Sequence, residues 1–304
     1  MLITRLAMAA MTMGAVFFMV GSAGAQTGPL RTQDLGNGIY AIFGPGGNIG
    51  VSVGEDGVIL IDDKFDRLSS YLVAAVAGIT DKPIRFLINT HWHPDHTGAN
   101  QALESIGTLI VAHDNVRRRL SSDQVQKIFN RTVPASPKAA LPVITFDQQI
   151  SFHVNGDEAR VYHIPNAHTD GDSIIYFVKA NVIHMGDLYF AGRYPFLDVD
   201  SGGGISGLVA GLDQALSTIN DQTQVISGHG GVTTKEELQA YRDVTKAVYD
   251  RLREMIAAGH SLEEILEAKI TASFDEKWGN GFQGLNDPVS FVRFAYTSLT
   301  GKAE

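Results

Sequence analysis

Three histidines and one aspartate fall within six residues of the segment LINTHWHPDHTGAN, residues 87–100. They are His91, His93, Asp95 and His96. Imidazoles separated by a single residue on a turn can converge on one cation, and the aspartate and the third histidine, reached by the next turn, can face a second. Neutral imidazole and carboxylate suit zinc best among the common metals. The spacing therefore predicts a metal site, which a single histidine would not.

Three later segments extend this cluster, because each places one further ligand type directly after a predicted strand. PNAHTDGD carries His168, HMGDLYF carries Asp187 and VISGHGG carries His229. Strand ends are the usual place for functional groups in a layered α/β fold. The chain has no cysteine, so any metal must be held by nitrogen and oxygen atoms.

The elements that must position these residues are predicted from apolar runs and turn signals. Strands are predicted at residues 38–43, 48–53 and 58–62, from residue 83, and at 108–112, 150–154, 159–164, 173–178, 181–184 and, as the last strand, 223–226. Helices are predicted at residues 66–78 with Asp66 as the cap, at 99–106, 114–130 and 207–219, and over most of the chain from Thr234, with Thr234 and Ser261 as N-caps. Alternating strands and helices predict an α/β fold.

The first 25 residues are predicted to be a signal peptide, because Arg5 precedes an apolar run that ends at the small residues 23–25. That run is shorter than the ~20 apolar residues that span a bilayer. We therefore expect a periplasmic or secreted protein that starts near Gln26 and has no membrane span. Residues 26–304 are predicted to form one domain with a core at about 38–231 and a helical tail at about 234–301.

The charge of the chain disfavours a nucleic-acid partner. The formal net charge is −9, and removal of the signal peptide with its single arginine makes it −10. Such an acidic surface would repel a phosphate backbone. A small-molecule substrate is therefore expected.

The motif at residues 91–96, together with His168, Asp187 and His229, resembles the metallo-β-lactamase superfamily, whose HxHxDH motif it matches without a gap. The resemblance covers roughly residues 38–231. It implies a four-layer αβ/βα sandwich of two mixed β-sheets, here with a helical C-terminal extension. It also implies two Zn²⁺ per chain, one held by His91, His93 and His168, the other by Asp95, His96 and His229, with Asp187 bridging them.

The chemistry implied by the resemblance is hydrolysis by a metal-bound hydroxide, since paired zinc ions lower the pKa of water and polarise a carbonyl oxygen. Asp95 would orient the hydroxide and pass a proton to the leaving atom. Asp62, at the end of VILID, would hold the metal loop by hydrogen bonds, and Asp63 is the weaker choice for that role.

Two further residues are predicted to contact the substrate. Trp92 stands between two ligands and is expected to line the pocket, with buried packing as the alternative. Arg193 follows Asp187 in LYFAGRYPF and is expected to receive a substrate carboxylate through its planar fork. The remaining histidines are assigned to ordinary structure: His113, His153, His163, His184 and His260.

The chain differs from particular subfamilies at the ligand positions, and these differences narrow the range of expected substrates. One β-lactamase subclass has cysteine at the position of Asp187, a residue other than histidine at His96 and lysine at Phe190, and a second subclass lacks the bridging acid. The full ligand set is similar to that of glyoxalase II, lactonases and RNase Z, of which RNase Z is disfavoured by export and acidity. The predicted function is a β-lactamase-like hydrolase of a cyclic amide or ester.

Three alternatives remain open at this stage. The first is a glyoxalase II-like thioesterase or a lactonase, although the helical tail offers no evident basic and aromatic cluster for glutathione. The second is an iron-dependent persulfide dioxygenase, because its ligands are a subset of those present and iron is compatible with them. The third is a non-enzymatic, metal-stabilised binding protein, which would not need every ligand and Asp62.

Overall fold

The computed structural model describes residues 28–302, so the predicted signal peptide and the expected start near Gln26 lie outside the described residues. The strands in chain order are β1 (Arg31–Gly36), β2 (Ile39–Phe43), β3 (Ile49–Gly54), β4 (Gly57–Ile61), β5 (Ile84–Ile88), β6 (Leu109–His113), β7 (Gln124–Gln126), β8 (Arg131–Val133), β9 (Ile144–Phe146), β10 (Gln149–Val154), β11 (Asp157–Ile164), β12 (Asp172–Phe177), β13 (Val182–His184), β14 (Gln224–Ile226) and β15 (Val232–Thr234).

The helices lie between these strands and after them. They are α1 (Ser69–Ala77), α2 (Pro94–Thr97), α3 (Asn100–Glu104), α4 (Asp114–Leu120), α5 (Ile205–Thr218), α6 (Lys235–Ala257), α7 (Leu262–Glu267), α8 (Asp275–Trp278) and α9 (Pro288–Thr300). Turns of 3₁₀ helix lie at Asp66–Leu68, Lys127–Phe129, Lys138–Ala140, Gly186–Leu188 and Val199–Ser201.

Two mixed sheets form the centre of the fold. The first has the order β1-β2-β3-β4-β5-β6-β9 and the second β10-β11-β12-β13-β14-β15. In the first sheet β4, β5, β6 and β9 are parallel, and in the second β13 and β14 are parallel. Parallel neighbours end at the same edge of a sheet, so the loops after β4, β5, β13 and β14 can meet in one place.

The three largest apolar clusters of residues 28–302 lie in three layers. One cluster lies between the sheets and includes Ile61 and Val111 from the first sheet and Ile175 from the second. A second packs α1 and α3 on the outer face of the first sheet, and a third packs α5, α6 and α9 on the outer face of the second. Helices therefore cover both outer faces, which confirms the four-layer αβ/βα sandwich.

The helical tail begins where the sequence predicts. Thr234 and Ser261 each accept a hydrogen bond from the backbone N–H three residues on, and Glu237 and Glu264 return the bond, so both are capping boxes. Asp287 caps α9, with Pro288 as the first helical residue. Among residues 28–302, no helix is both long enough and apolar enough to cross a bilayer.

Three predicted elements are wrong in part. The helix expected at residues 114–130 stops at Leu120, because the hydroxyls of Ser121 and Ser122 donate hydrogen bonds to carbonyl oxygens of its last turn. Strands β7 and β8 follow as a separate antiparallel pair. Asp66 is not the cap of α1, since a 3₁₀ turn precedes that helix. The last strand is β15, which pairs antiparallel with β14.

Candidate metal centre

All seven side chains expected as ligands come together beyond the ends of strands. They are, in chain order, His91 and His93 after β5, Asp95 and His96 on α2, His168 after β11, Asp187 after β13 and His229 after β14. The first four come from one sheet and the last three from the other. The site thus lies where the two sheets meet.

The side chains form two groups whose ligand atoms lie within 4.8 Å of one another: His91, His93, His168 and Asp187 in one, and Asp95, His96 and His229 in the other. Asp187 lies between them, with Oδ1 3.2 Å from His96 Nε2 and Oδ2 3.3 Å from His229 Nε2. Its Oδ2 is also 3.8 Å from His91 Nε2. This grouping is the one that the resemblance implies, and ligation of metal stays a prediction.

Buried atoms without partners mark the centre of the site. His91 Nε2, His96 Nε2 and Asp187 Oδ1 form no hydrogen bond with any described residue. His96 Nε2 and Asp187 Oδ1 are close enough for an ion pair but are not aligned as a hydrogen bond. Unsatisfied buried polar atoms are costly in a native fold. Divalent cations in the two ligand groups would together satisfy all three atoms, so the residues present fit metal.

Each buried imidazole has one ring nitrogen that faces away from the centre of the site, here called the outer nitrogen, and this nitrogen is hydrogen-bonded to a protein oxygen. Asp62 Oδ2 lies 2.7 Å from His96 Nδ1, and Asp62 also accepts from the backbone N–H and hydroxyl of Thr90 at 2.7 and 2.8 Å. Thr90 Oγ1 in turn lies 3.0 Å from His91 Nδ1. The Phe196 carbonyl accepts from His168 Nδ1 at 2.8 Å. These bonds leave the inner nitrogens free to ligate.

Asp198 is a functional candidate that the sequence analysis missed. Its Oδ2 lies 2.8 Å from His93 Nε2, so His93 turns Nδ1 toward the site, 3.0 Å from His168 Nε2. Asp198 is 4% exposed and also accepts from the Ser201 hydroxyl at 2.6 Å. Despite its burial, the hydrogen bond from His93 lowers the pKa of Asp198 to about 2, so this carboxylate stays ionised.

Burial keeps two of the imidazoles neutral. It lowers the pKa of His168 to about 4 and that of His91 well below its usual value. A neutral imidazole has a lone pair available for a cation and needs to lose no proton before it can ligate. These two histidines are therefore ready to bind metal at neutral pH.

His96 and Asp187 form the charged part of the site. Burial opposes protonation of His96, but Asp187, Asp95 and Asp62 together raise its pKa well above the usual value. Burial also disfavours the Asp187 carboxylate, yet His229 and His96 hold its pKa well below the usual value. Without metal, the site therefore balances its carboxylates with a proton on His96.

Two glycines make close approaches that no other residue could make. A Cβ at Gly47 would lie 2.1 Å from His96 Cε1, and one at Gly228 would lie 2.1 Å from Asp187 Oδ1. Both distances are far inside van der Waals contact. The segment FGPGGN, residues 43–48, is thus packed directly onto a ligand, and so is the turn before His229.

Lys64 fixes the glycine-rich segment in place. Its side chain is 0% exposed and its Nζ donates to the Gly47 carbonyl. Burial lowers the pKa of this ammonium to about 8. The same segment is held to the other sheet, because Asn48 donates its backbone N–H to the Gly228 carbonyl at 2.7 Å. The loop over His96 is therefore tied to both halves of the fold.

A cleft of about 240 Å³ opens onto the site, and Arg193 lines it together with His93, Asp95, Asp187 and His229. This is the position predicted for Arg193. Trp92 does not line this cleft. It is 1% exposed, packs against Val116 and Leu120, and donates Nε1–H to Ser201 at 3.1 Å.

Of the two roles expected for Trp92, the structure shows buried packing and not pocket lining, because its ring lies edge-on to the His93 ring at 4.9 Å on the side away from the cleft. Among the histidines assigned to structure, His113 and His163 stack at 3.5 Å and His184 Nε2 lies 3.2 Å from the Asn48 carbonyl oxygen.

Comparison with known proteins gives matches in sequence and in fold. A sequence model of the metallo-beta-lactamase superfamily matches residues 43–246. A hydroxyacylglutathione hydrolase of Haemophilus influenzae is 26% identical over 155 residues, which are 51% of this chain and 72% of that protein.

Two solved structures share the fold at low identity. The sec-alkylsulfatase Pisa1 from Pseudomonas sp. has a TM-score of 0.67 and 17% identity over 90% of this chain, which spans 50% of the alkylsulfatase. A metallo-beta-lactamase from Pontibacter korlensis has a TM-score of 0.60 and 15% identity over 71% of this chain and 99% of that one. At these identities the likeness concerns the fold.

Proposed function

Since this chain belongs to the metallo-beta-lactamase superfamily, whose sequence model matches residues 43–246, we propose that it is a binuclear zinc hydrolase of β-lactamase-like type. Its substrate would be a cyclic amide or ester. The observation that carries the proposal is the pair of ligand groups that share Asp187, with three buried inner atoms left unpaired. An all-nitrogen and oxygen ligand set suits zinc.

Zinc bound in both groups would supply a hydroxide nucleophile at neutral pH and polarise the carbonyl under attack. The chain supplies the orientation. Asp95 is 20% exposed and its Oδ2 is 3.4 Å from His229 Nε2, so it can reach both a water and the leaving atom in the cleft. It is the group best placed to move a proton between them. Asp187, 4% exposed, would set the spacing of the two ligand groups.

Arg193 would receive a carboxylate of the substrate. It lines the cleft and has no ion pair with an acid among residues 28–302. Its guanidinium can therefore offer two parallel donors to an anion. Replacement of Arg193 by alanine should raise KM by roughly fivefold for the loss of a partly exposed ion pair. An unchanged KM, or equal turnover of the acid and its ester, would assign Arg193 to the surface.

Metal content and substrate class test the proposal directly. Protein purified without added metal should contain about two zinc ions per chain. It should hydrolyse at least one member of a panel of β-lactams, lactones and thioesters. One iron per chain, together with oxygen uptake on persulfides, would replace this proposal with the dioxygenase alternative.

A glyoxalase II-like thioesterase is the second candidate, because the Haemophilus influenzae relative is named a hydroxyacylglutathione hydrolase. The part of the helical tail that reaches the cleft argues against a glutathione site. It contributes Phe282, Leu285 and Asn286, none of which is a basic residue that could bind a glutathione carboxylate. Turnover of S-lactoylglutathione well above that of lactones and β-lactams would favour the thioesterase.

Export is also proposed, on the sequence of residues 1–25. N-terminal sequencing of the protein from its host should find a start near Gln26. An intact Met1 on the active protein would refute export by cleavage at that site.

A further inference from the structure

Five phenylalanines line the cleft above the candidate metal centre: Phe65, Phe129, Phe190, Phe196 and Phe282. Two of them lie largely in solvent, Phe129 with 44% and Phe282 with 62% of its surface exposed. Large aromatic side chains left exposed around a concave site mark a surface that binds something apolar. The mouth of this cleft is such a surface.

Each of the two exposed rings has an arginine over its face. The Arg131 guanidinium carbon is 5.0 Å from the Phe129 ring centroid, and that of Arg193 is 4.7 Å from the Phe282 ring centroid. A guanidinium stacked on a ring still presents its in-plane N–H donors outward. Within residues 28–302, Arg131 donates Nε–H to Gln126 at 2.8 Å and makes no other side-chain hydrogen bond.

The two pairs come from separate parts of the chain. Phe129 lies between β7 and β8 and Arg131 is the first residue of β8, whereas Arg193 follows Asp187 and Phe282 precedes α9. Neither arginine forms an ion pair with an acid in the described part of the chain. In a protein of net charge −9, two cations without acidic partners at the mouth of one cleft are available to an anionic ligand.

The size of the cleft limits what it can hold. Its volume is about 240 Å³. A protein cavity of about 150 Å³ accommodates benzene, and pockets for drug-sized ligands begin at about 300 Å³. The cleft therefore has room for about one ring-sized apolar group next to the reacting bond, and the rest of a larger ligand would lie in solvent.

We propose that this cleft selects small monoanionic acids with a single aryl or comparably sized alkyl group, in which the ring lies between Phe129 and Phe282 and the anion binds Arg131 and Arg193. The proposal rests on the proposed function in one respect, since the reacting bond would face the ligand groups. It separates the two candidate functions, because glutathione carries two carboxylates and an ammonium group that aromatic walls would not solvate.

The test is equilibrium binding, which does not depend on turnover. Isothermal titration of the metal-loaded protein should give a dissociation constant for phenylacetate at least about tenfold below that for acetate, because the ring buries apolar surface. Phenylacetamide, which has the ring without the charge, should bind about two- to fivefold more weakly than phenylacetate.

Variants assign the two contributions to residues. Phe282→Ser should weaken phenylacetate binding by roughly three- to tenfold and acetate binding by no more than about twofold, because Arg193 keeps its charge when the ring beneath it is lost. Arg131→Gln should weaken both anions by about two- to fivefold and leave phenylacetamide unchanged. The matched controls are Val125→Ser, an exposed apolar residue of the same hairpin, and Arg253→Gln, an arginine stacked on Tyr249 outside the cleft. Neither control should alter binding.

Equal affinity for phenylacetate and acetate would overturn the proposal, and so would wild-type affinities in both cleft variants. If phenylacetate bound only through a metal, both cleft variants would keep wild-type affinity. A different outcome would refute the proposed function alone. In that case the protein would hydrolyse nothing in the panel, yet it would still prefer phenylacetate to acetate and show the expected losses in the variants.

Discussion

Replacement of Asp198 by asparagine tests whether this unpredicted carboxylate sets the affinity of the three-histidine group. The structure places Asp198 Oδ2 2.8 Å from His93 Nε2. Asp198 uses both of its oxygens, because Oδ1 accepts the backbone N–H of Ser201 at 3.1 Å while Oδ2 faces His93. Asparagine has a single acceptor oxygen, so it can still cap the 3₁₀ turn but then turns its NH₂ group toward His93 Nε2. The change therefore keeps the cap and removes both the charge and the acceptor that faces His93.

The expected effect follows from the role of an outer carboxylate. Loss of the outer hydrogen-bond partner of a ligating histidine lowers metal affinity by about 10- to 100-fold, or about 1.4 to 2.8 kcal/mol. Asparagine loses the acceptor that faces His93 Nε2 as well as the charge, so the upper end of that range is expected. Because the Asp198 pKa is about 2, the carboxylate is ionised throughout the neutral range. The loss should be the same from about pH 6 to 8.

Competition with a chromophoric chelator measures zinc affinity for each ligand group. Asp198→Asn should weaken one group, the one that contains His93, and leave the other unchanged. Asp200→Asn is the matched control, since Asp200 lies two residues further on and pairs with the exposed Lys127 at 2.8 Å. Wild-type affinity in Asp198→Asn, or an equal loss in Asp200→Asn, would refute the reasoning.

Three further outcomes are expected. Asp187→Ala should lower zinc affinity by more than the ~100-fold upper limit for an outer contact, and a fully loaded, fully active variant would remove Asp187 from the site. Because acidic neighbours raise the pKa of His96, zinc uptake at pH 7 should release about two protons per chain, one from His96 and one from the water that becomes hydroxide, measured as the buffer dependence of the binding enthalpy; release of only about one would contradict the raised pKa. Lys64→Met should lower the free energy of unfolding by about 1–3 kcal/mol, since the buried Gly47 carbonyl loses its donor; urea denaturation measures this, and the exposed Lys82→Met should change nothing.

The sequence predicted the candidate ligands because few residue types ligate metal and because these stand directly after apolar strands. Asp62 was expected from the family resemblance, and the parallel pairing of β4 with β5 brings the ends of these strands together. Asp198 carried no such signal. It lies in a loop and reaches His93 across 105 residues of sequence, so only the packing of the two halves brings the pair together.

Other differences between the predicted and the observed structure arise where the hydrophobic pattern obscured local signals for a helix end. The charged run after Asp114 suggested one long helix, although Ser121, Ser122 and Asp123 are residues that favour helix ends and turns. The hairpin that replaces the helix carries Phe129 and Arg131 to the cleft, so this error concealed one wall of the site. For Trp92 the sequence left pocket lining and buried packing open, and only the packing of Val116 and Leu120 against its ring decides between them.

The contacts of Gly47 and Gly228 with ligand side chains have a consequence for genetic variation. In a saturation-mutagenesis map scored on activity, these two positions should be as intolerant as the ligands, although neither has a side chain to contribute. Even alanine would push against His96 or Asp187 at 2.1 Å. Substitutions should therefore inactivate the site at more positions than the candidate ligands alone. Loss-of-function alleles should also be found in two glycine-rich turns that lie 181 residues apart.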